Sequence, residues 1–223
     1  MASWMVHFRI TDLILEQLPE LEPVAFVFGN IAPDSGVPNE DWSVFTPSKN
    51  ISHFWVTGDD GETDISLESY LSSYLREEQL ARYTSVEKSF YLGYLSHLLS
   101  DIEWGERIWR PCKKKYHTWY EENANEFIWT IKKDWYDLDF LYLRKHPDFR
   151  AFCIYEKKID FQNKFMDFFA ADAFENRRAY ITDFYRAGRE GLEREYVYLT
   201  EQAMDSFVET TAECVLKVLK KYI

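Results

Sequence analysis

The stretch from Tyr91 to Trp104, YLGYLSHLLSDIEW, constrains the fold more than any other part of the sequence. It is too apolar for a helix with one face in water, and it therefore predicts a single buried helix. His97 and Asp101 are polar exceptions four residues apart. Residues i and i+4 share one face of a helix, so the two side chains are predicted to lie one turn apart.

Helical periodicity also dominates the rest of the chain and predicts an all-α protein. Val6, Ile10 and Leu13 begin a pattern with spacings of three and four in the first segment. The segment PVAFVFGN is predicted to be a short helix that ends with a C-cap at Gly29 and Asn30. Further helices are predicted at about 67–80, 86–104, 107–124, 125–134, 149–174, 176–188 and 192–222. No internal repeat or linker divides the chain, so we expect one helical bundle over residues 1–223.

Residues 30–65 form the longest segment without helical periodicity, and they contain three prolines. A loop of this length in a compact domain is more often functional than idle. Asp34 lies in this segment between a proline and a Ser-Gly turn, and His53 lies in the sequence ISHFW. Considered singly, Asp34 is typical of a turn residue whose side chain forms a hydrogen bond with the nearby backbone. His53, considered singly, is typical of a loop histidine exposed to solvent.

His97 and Asp101 have the spacing with which two histidines bind zinc in an HExxH helix. On spacing alone, a local hydrogen bond is the more common role of such a pair. Together with Asp34 and His53, however, the pair supplies two imidazoles and two carboxylates. Mixed nitrogen and oxygen ligation of this kind suits zinc, and it is compatible with iron or manganese. The sequence therefore predicts a metal site built from the long loop and the apolar helix.

Charge and cysteine content argue against other classes of function. The net charge is −12, whereas proteins that bind nucleic acid or anionic membranes are usually basic. We therefore expect no stable binding of nucleic acid. The three cysteines are far apart and form no CxxC pair, which argues against a thiolate zinc site.

No stretch approaches the ~20 consecutive apolar residues of a transmembrane helix. Charged residues interrupt the first apolar segment and argue against a secretory signal, so we expect a cytoplasmic protein.

A basic segment, RIWRPCKKKYH, runs from Arg107 to His117 against this acidic background. One interpretation is a solvated helix end or loop. The other is the rim of a site that attracts phosphate, because a local field can differ in sign from the total charge. The sequence alone leaves both interpretations open.

The segments VHFRI, GNIAPD, SHF and YLGYLSHLLSD together resemble the zinc-dependent phospholipase C family of bacteria, which is related in fold to the S1/P1 nucleases. The resemblance covers the first half of the chain, and the second half only as further helix. It implies a helical bundle with clustered zinc ions. By this resemblance, Asp34, His53, His97 and Asp101 match the ligands of one metal. Asp101 would also bridge to a second metal, which His7 would help to bind.

The sequence departs from the family pattern beyond Asp101. The family usually presents a further histidine there and then an HxxxE pair for a third metal, and no HxxxE pair follows here. The segment KKDWYDLDF offers Asp134 and Asp137 instead, at i and i+3 on a predicted helix, as oxygen ligands. An acidic helix face without metal explains the same spacing equally well. We therefore expect one or two metal ions rather than three.

Such a site predicts a metal-dependent phosphoric-ester hydrolase, a phosphodiesterase similar to phospholipase C, in which the metal activates a water molecule. By the resemblance, Asp34 is also the general base. The substrate stays open between a small phosphoester and a phospholipid. Two alternatives remain: a non-catalytic helical protein with a structural or vestigial metal site, and an S1/P1-type nuclease. The nuclease would need aromatic side chains beside the metals on which bases can stack.

Overall fold

A computed structural model of the chain describes residues 1–40, 43–58 and 62–223. It confirms the all-α prediction, since about 65% of the chain is helical and the strands form two small sheets. Within the described ranges, no helix has the length and the apolar character that a membrane span requires.

The helices of the first half of the chain are α1 (Trp4–Gln17), α2 (Pro23–Ile31), α3 (Lys49–Ser52), α4 (Leu67–Tyr74), α5 (Glu77–Leu80) and α6 (Ser85–Trp104). Those of the second half are α7 (Arg110–Lys115), α8 (His117–Glu122), α9 (Ala124–Lys145), α10 (Arg150–Lys157), α11 (Ala173–Arg186) and α12 (Glu201–Leu219). A 3-10 turn (Ala32–Asp34) follows α2, and a π-helical turn (Gly105–Trp109) joins α6 to α7.

Two antiparallel hairpins lie within the segment predicted to be irregular. Strand β1 (Val37–Pro38) pairs with β2 (Phe45–Thr46), with Val37 opposite Thr46. Strand β3 (Trp55–Thr57) pairs with β4 (Thr63–Ile65), with Trp55 opposite Ile65. The short helix α3 lies between the two hairpins in the chain. The segment is therefore a set of short elements rather than one open loop.

Two long predicted helices were wrong in their limits. The helix predicted over 149–174 ends at Lys157, and the one predicted over 192–222 begins at Glu201. Asn163 explains part of the first error, because its side-chain amide donates to the carbonyls of Met166 and Phe169 at 2.7 and 2.8 Å. Such local side-chain bonds offer the backbone an alternative to helix.

The helices predicted in the middle of the chain also have different limits. The segment 107–124 is divided between the π-helical turn, α7 and α8, and the helix predicted over 125–134 extends to Lys145 as α9. Asn123 begins α9, where its side chain accepts a hydrogen bond from the backbone N–H of Glu126 at 3.1 Å. An N-cap of this kind favours a new helix over continuation of α8.

Helix α6 is the centre of the core, as its sequence predicts. Nearly every residue from Ser89 to Asp101 is buried, and α1, α2 and α12 pack against it. Thr84 begins the helix through a capping box with Glu87. The Thr84 hydroxyl accepts from the Glu87 N–H at 3.2 Å, and the Glu87 carboxylate accepts from the Thr84 N–H at 2.8 Å. The start of α6 is therefore fixed by local chemistry.

Helices α2 and α6 meet at close range through two glycines. A Cβ atom on Gly29 would overlap the carbonyl oxygen of Phe90, and one on Gly93 would overlap that of Phe26. The two backbones can approach this closely only because neither position has a side chain. Gly29 lies inside α2, which continues to Ile31. The predicted C-cap at Gly29 and Asn30 is therefore wrong, and Gly29 serves helix packing.

Candidate metal centre

Five of the predicted site residues lie together in the structure, and we call them the His/Asp cluster. His7 lies on α1, Asp34 ends the 3-10 turn, His53 follows α3, and His97 and Asp101 lie on α6. The three histidines are fully buried and Asp101 is 4% exposed. The side chain of Asp34 is 12% exposed and is the most accessible of the five.

Asp101 contacts all three histidines of the cluster. Its Oδ1 lies 3.4 Å from Nε2 of His7, and its Oδ2 lies 3.3 Å from Nε2 of His97 and 3.7 Å from Nε2 of His53. Asp34 joins from the other side, where its Oδ1 lies 3.4 Å from Nε2 of His53. The arrangement has one carboxylate between the imidazoles, as expected for a bridging ligand.

The possible ligand atoms fall into two overlapping groups. His7, His97 and Asp101 form one group, and Asp34, His53 and His97 form the other. Within each group, one ligand atom of each residue lies within 4.8 Å of the others. Each group combines imidazole nitrogens with carboxylate oxygens, and these atoms lie close together. One or two divalent ions require ligand atoms of these types at such short separations.

Hydrogen bonds outside the cluster orient two of the imidazoles. Nδ1 of His97 lies 2.6 Å from the carbonyl oxygen of Asn30. A carbonyl only accepts, so this nitrogen is the donor, and in the neutral ring the lone pair is on Nε2. Nδ1 of His53 lies 3.0 Å from the hydroxyl of Ser52, which directs its Nε2 to the cluster. Metal-binding histidines are usually held through the second ring nitrogen in this way.

The close packing of α2 on α6 positions the Asn30 carbonyl that contacts Nδ1 of His97. Asn30 follows Gly29 directly, and its side-chain amide donates to the hydroxyl of Ser96 at 3.1 Å. Sequence reasoning missed Asn30, Ser52 and the two packing glycines as supporting residues. Gly29 and Asn30 belong to the motif GNIAPD, so the motif held a signal for them.

His53 is held by the short elements around it. Its backbone N–H donates to the carbonyl of Lys49 at 2.8 Å, and the hydroxyl of Tyr94 on α6 donates to the carbonyl of Ser52. Phe54 has a φ of 54°, a left-handed conformation that turns the chain directly after His53. The loop thereby fixes His53 against α6.

The polar atoms of the cluster do not satisfy one another. Nε2 of His97 lies 3.3 Å from Nε2 of His53 and 3.3 Å from a carboxylate oxygen of Asp101, although it carries a lone pair. Among the described residues, both ring nitrogens of His7 and Oδ2 of Asp101 have no hydrogen-bond partner. Each buried polar atom without a partner typically costs about 1–3 kcal/mol. A divalent cation would bind one ring nitrogen of His7 together with Nε2 of His97 and a carboxylate oxygen of Asp101, so the residues fit a metal.

The protonation states also suit a metal. Burial lowers the pKa of His7, and it lowers that of His53 to about 4. Burial acts the other way on Asp34, but Lys49 and His53 outweigh it and hold the pKa of Asp34 well below its usual range. For Asp101, the imidazoles of His97 and His7 similarly outweigh burial and hold its pKa well below the usual range. Neutral imidazoles and ionised carboxylates are the forms that bind metal ions.

Asp134 and Asp137 belong to neither ligand group and form ion pairs instead. Arg194 binds both, with Nη1 2.7 Å from Oδ1 of Asp134 and Nη2 2.6 Å from Oδ2 of Asp137. Lys133 and Arg189 also bind Asp137, at 2.6 and 2.9 Å. These carboxylates already have permanent cations, and they fasten the chain after α11 to α9. We therefore leave them out of the proposed ligand set.

The cluster opens through Asp34 and Asp101 onto a cleft of about 1290 Å³. Aromatic side chains form much of its wall: Trp4, Phe45, Trp55, Trp109, Tyr120, Trp129, Trp135, Tyr136, Tyr180 and Phe184. Arg110 and Lys113 of the basic segment also line the cleft. A cleft with metal ligands, aromatic rings and cations can hold an anionic ligand with an apolar part.

Comparison with known proteins supports the same assignment. A family model described as zinc-dependent phospholipase C matches residues 6–179, well over half of the chain. The match contains all five residues of the His/Asp cluster and extends into α11, beyond the first half that the sequence motifs covered. Searches of curated proteins and of solved structures gave no match.

Proposed function

The chain belongs to the zinc-dependent phospholipase C family, and from this membership we propose that it is a metal-dependent hydrolase of phosphoric esters. The observation that carries the proposal is the His/Asp cluster, with three buried imidazoles and two carboxylates beside a large cleft. We infer one or two zinc ions, because both ligand groups combine imidazole nitrogen with carboxylate oxygen. Iron and manganese are compatible with the same donors.

Each residue of the cluster has a distinct role in this proposal. Asp34, His53 and His97 would hold one ion, and His7 with Asp101 would hold the second. Asp101 is the bridge, since it has two oxygens and contacts imidazoles of both groups. When bound, a divalent metal supplies Lewis-acid chemistry that makes water a better nucleophile at neutral pH and offsets charge on phosphoryl oxygens.

Asp34 is the residue that we propose to act on the attacking water. It lies at the edge of the cleft, and Lys49 helps to keep it ionised. An ionised carboxylate accepts a hydrogen bond from water, orients it toward phosphorus and accepts its proton as the new P–O bond forms. The P–O bond to the ester oxygen breaks, and the leaving alkoxide takes up a proton to depart as the alcohol. General-base catalysis of this kind is typically worth about 10²–10⁴-fold. The low pKa of Asp34 favours the orienting role over storage of the proton.

The aromatic wall would hold the part of the substrate that is not phosphate. Trp4, Tyr180 and Phe184 form edge-to-face contacts that keep this wall rigid, with centroid distances of 5.9 Å for Trp4–Tyr180 and 5.8 Å for Trp4–Phe184. Rings of this kind pack against the apolar part of a phospholipid, the substrate that the family suggests, or of a small phosphoester. They also stack on nucleobases. An S1/P1-type nuclease is therefore the second candidate.

The proposal is tested on zinc-loaded protein with a nitrophenyl phosphodiester, a nitrophenyl phosphomonoester, phospholipid vesicles and single-stranded DNA as substrates. We expect Asp34→Asn to lower kcat on the best substrate by about 10²–10⁴-fold. Because the other ligands remain, zinc measured by elemental analysis should fall much less. Asp183→Asn, an exposed aspartate on α11 outside the cleft, is the matched control and should be unaffected.

Two outcomes would contradict this proposal. Unchanged hydrolysis in Asp34→Asn would show that Asp34 does not act on the water. A zinc-loaded wild-type protein that hydrolyses none of the four substrates would favour a non-catalytic protein with a structural metal site.

A further inference from the structure

Cationic side chains outnumber acidic ones on the described wall of the cleft, although the whole chain has a net charge of −12. The cations are Lys49, Arg110, Lys113, Lys132, Lys133, Arg177 and Arg189, and the acids are Asp34, Glu62, Asp64, Asp101 and Glu106. A cation with a carboxylate partner is neutralised locally. The cations without one determine which ligand the cleft attracts.

The basic segment is neutralised by neighbouring acids. Arg110 forms ion pairs with Asp64 and with Glu106, and Nζ of Lys113 lies 3.0 Å from Oε1 of Glu62. These contacts use the three acids of the wall that lie outside the His/Asp cluster. Arg110 and Lys113 therefore contribute little net positive charge to the cleft.

Three other cations of the wall are also engaged. Lys133 and Arg189 bind Asp137 at 2.6 and 2.9 Å, and Arg177 donates to the carbonyl of Gly36. The carboxylate of Asp137 thus offsets the charges of Lys133 and Arg189. Arg177 is 4% exposed and packs against the rings of Trp4 and Tyr180, so its guanidinium contacts protein groups rather than the open cleft. Lys49 and Lys132 remain to be explained.

Of these two lysines, Lys132 is the less compensated. Its ammonium lies 5.4 Å from the ring centroid of Trp129, and no carboxylate of the described residues lies within ion-pair distance of it. Burial lowers the pKa of Lys132, and the charge of nearby Lys49 lowers it further. Two ammonium groups thus face the same cleft and repel each other.

Lys49 lies beside the His/Asp cluster. Its Nζ is 3.8 Å from Oδ1 of Asp34, and it lies 5.5 and 5.9 Å from the ring centroids of Phe45 and Trp55. If Asp34 serves as a metal ligand, its negative charge is already offset by the metal. Lys49 then lacks a compensating anion, as Lys132 does.

We propose that Lys49 and Lys132 form an anion subsite next to the metal cluster, which selects substrates with a second negative charge at or beside the reacting phosphate. The dianion of a phosphomonoester has this charge, and so does a phosphodiester with an anionic headgroup. A zwitterionic headgroup such as phosphocholine would bring its own ammonium toward the lysines and is disfavoured. The inference rests on the proposed hydrolase function and adds to it the charge of the substrate.

Binding of simple anions tests the subsite without catalysis. Zinc-loaded protein is titrated by calorimetry at pH 8 with inorganic phosphate, a dianion, and with dimethyl phosphate, a monoanion. We expect Lys49→Gln and Lys132→Gln each to weaken phosphate binding by roughly tenfold or more, because each removes a charged hydrogen-bond donor. Binding of dimethyl phosphate should change much less. Lys217→Gln, an exposed lysine on α12 outside the cleft, should leave both affinities unchanged.

Hydrolysis assays then show whether the second negative charge lies on the phosphate of a phosphomonoester or on the headgroup of a phosphodiester. The substrates are nitrophenyl phosphate, nitrophenyl phosphorylcholine and a nitrophenyl diester of phosphoserine. Wild-type protein should prefer the first or the third over the phosphorylcholine ester, and the preference should fall in both lysine variants. The better of the two anionic substrates identifies the source.

Failure of the subsite and failure of the hydrolase proposal would give different experimental results. Unchanged phosphate affinity in Lys132→Gln, or an equal loss for both anions, would overturn the subsite. Loss of zinc from Lys49→Gln would show that Lys49 supports the metal ligands, and this would overturn its assignment to the subsite. If the wild-type protein hydrolyses no ester but the variants still lose phosphate selectively, the hydrolase proposal fails and the subsite stands.

Discussion

Asp101 and Asp137 are both buried carboxylates, yet different partners compensate their charge. Asp137 is bound by the basic side chains of Arg194, Arg189 and Lys133. Asp101 is surrounded by the imidazoles of the His/Asp cluster, and one of its oxygens accepts from the backbone N–H of Ala2 at 2.8 Å. Burial lowers the pKa of two of these imidazoles, His7 and His53.

The comparison separates a carboxylate that holds the fold together from one that we propose to hold a metal ion. A buried charge must be paired or must coordinate a metal. Asp137 meets this condition with the chain's own arginines. We propose that Asp101 meets it with a metal ion that the histidines of the cluster also bind. The two residues have the same chemistry and nearly the same exposure, so the difference lies in their neighbours.

The largest expected effect on stability is at Asp137. Asp137→Asn leaves Arg189 without its carboxylate and Arg194 with Asp134 alone, so we expect the free energy of unfolding to fall by about 2–3 kcal/mol. This is less than the 3–5 kcal/mol typical of fully buried pairs, because both arginines are partly exposed to solvent. Urea unfolding measures the change, and bound zinc should stay at the wild-type level. A loss of zinc in this variant would show that Asp137 belongs to the metal site. It would contradict the distinction drawn between Asp137 and Asp101.

A smaller effect is expected from Ser52, which binds the second ring nitrogen of His53. Ser52→Ala should lower zinc affinity by about tenfold, since residues that orient a ligand typically contribute 10–100-fold. Competition with a fluorescent chelator measures the affinity. Ser100→Ala is the matched control, because Ser100 is also buried and donates to the carbonyl of Ser96 on its own helix. Equal losses in the two variants would mean that Ser52 acts through packing.

The helical half of the site was predictable from residue spacing. His97 and Asp101 share a face of α6 by periodicity alone, and the apolar sequence around them predicts their burial. The approach of His7 and His53 is a tertiary contact, which no local pattern specifies. His53 entered the prediction because it lies in the long loop with Asp34, and only the family resemblance brought in His7.

Features that depend on distant partners were not predictable. The pairing of Asp134 and Asp137 requires Arg194, which lies in a segment predicted to be helical but observed in the irregular chain before α12. An acidic pair on a helix looks the same in sequence whether its partner is a metal or an arginine. Gly29 similarly resembles a helix C-cap in sequence, and only the position of Phe90 on α6 shows that it serves packing.

The measurement that tests the central claim most directly is the metal content of three proteins after reconstitution with zinc and dialysis against metal-free buffer. Wild-type protein and Asp137→Asn should each retain one or two zinc ions per chain, and His97→Ala should retain much less, since His97 belongs to both ligand groups. Wild-type protein without zinc, or His97→Ala with the wild-type amount, would contradict the assignment of the His/Asp cluster as a metal centre.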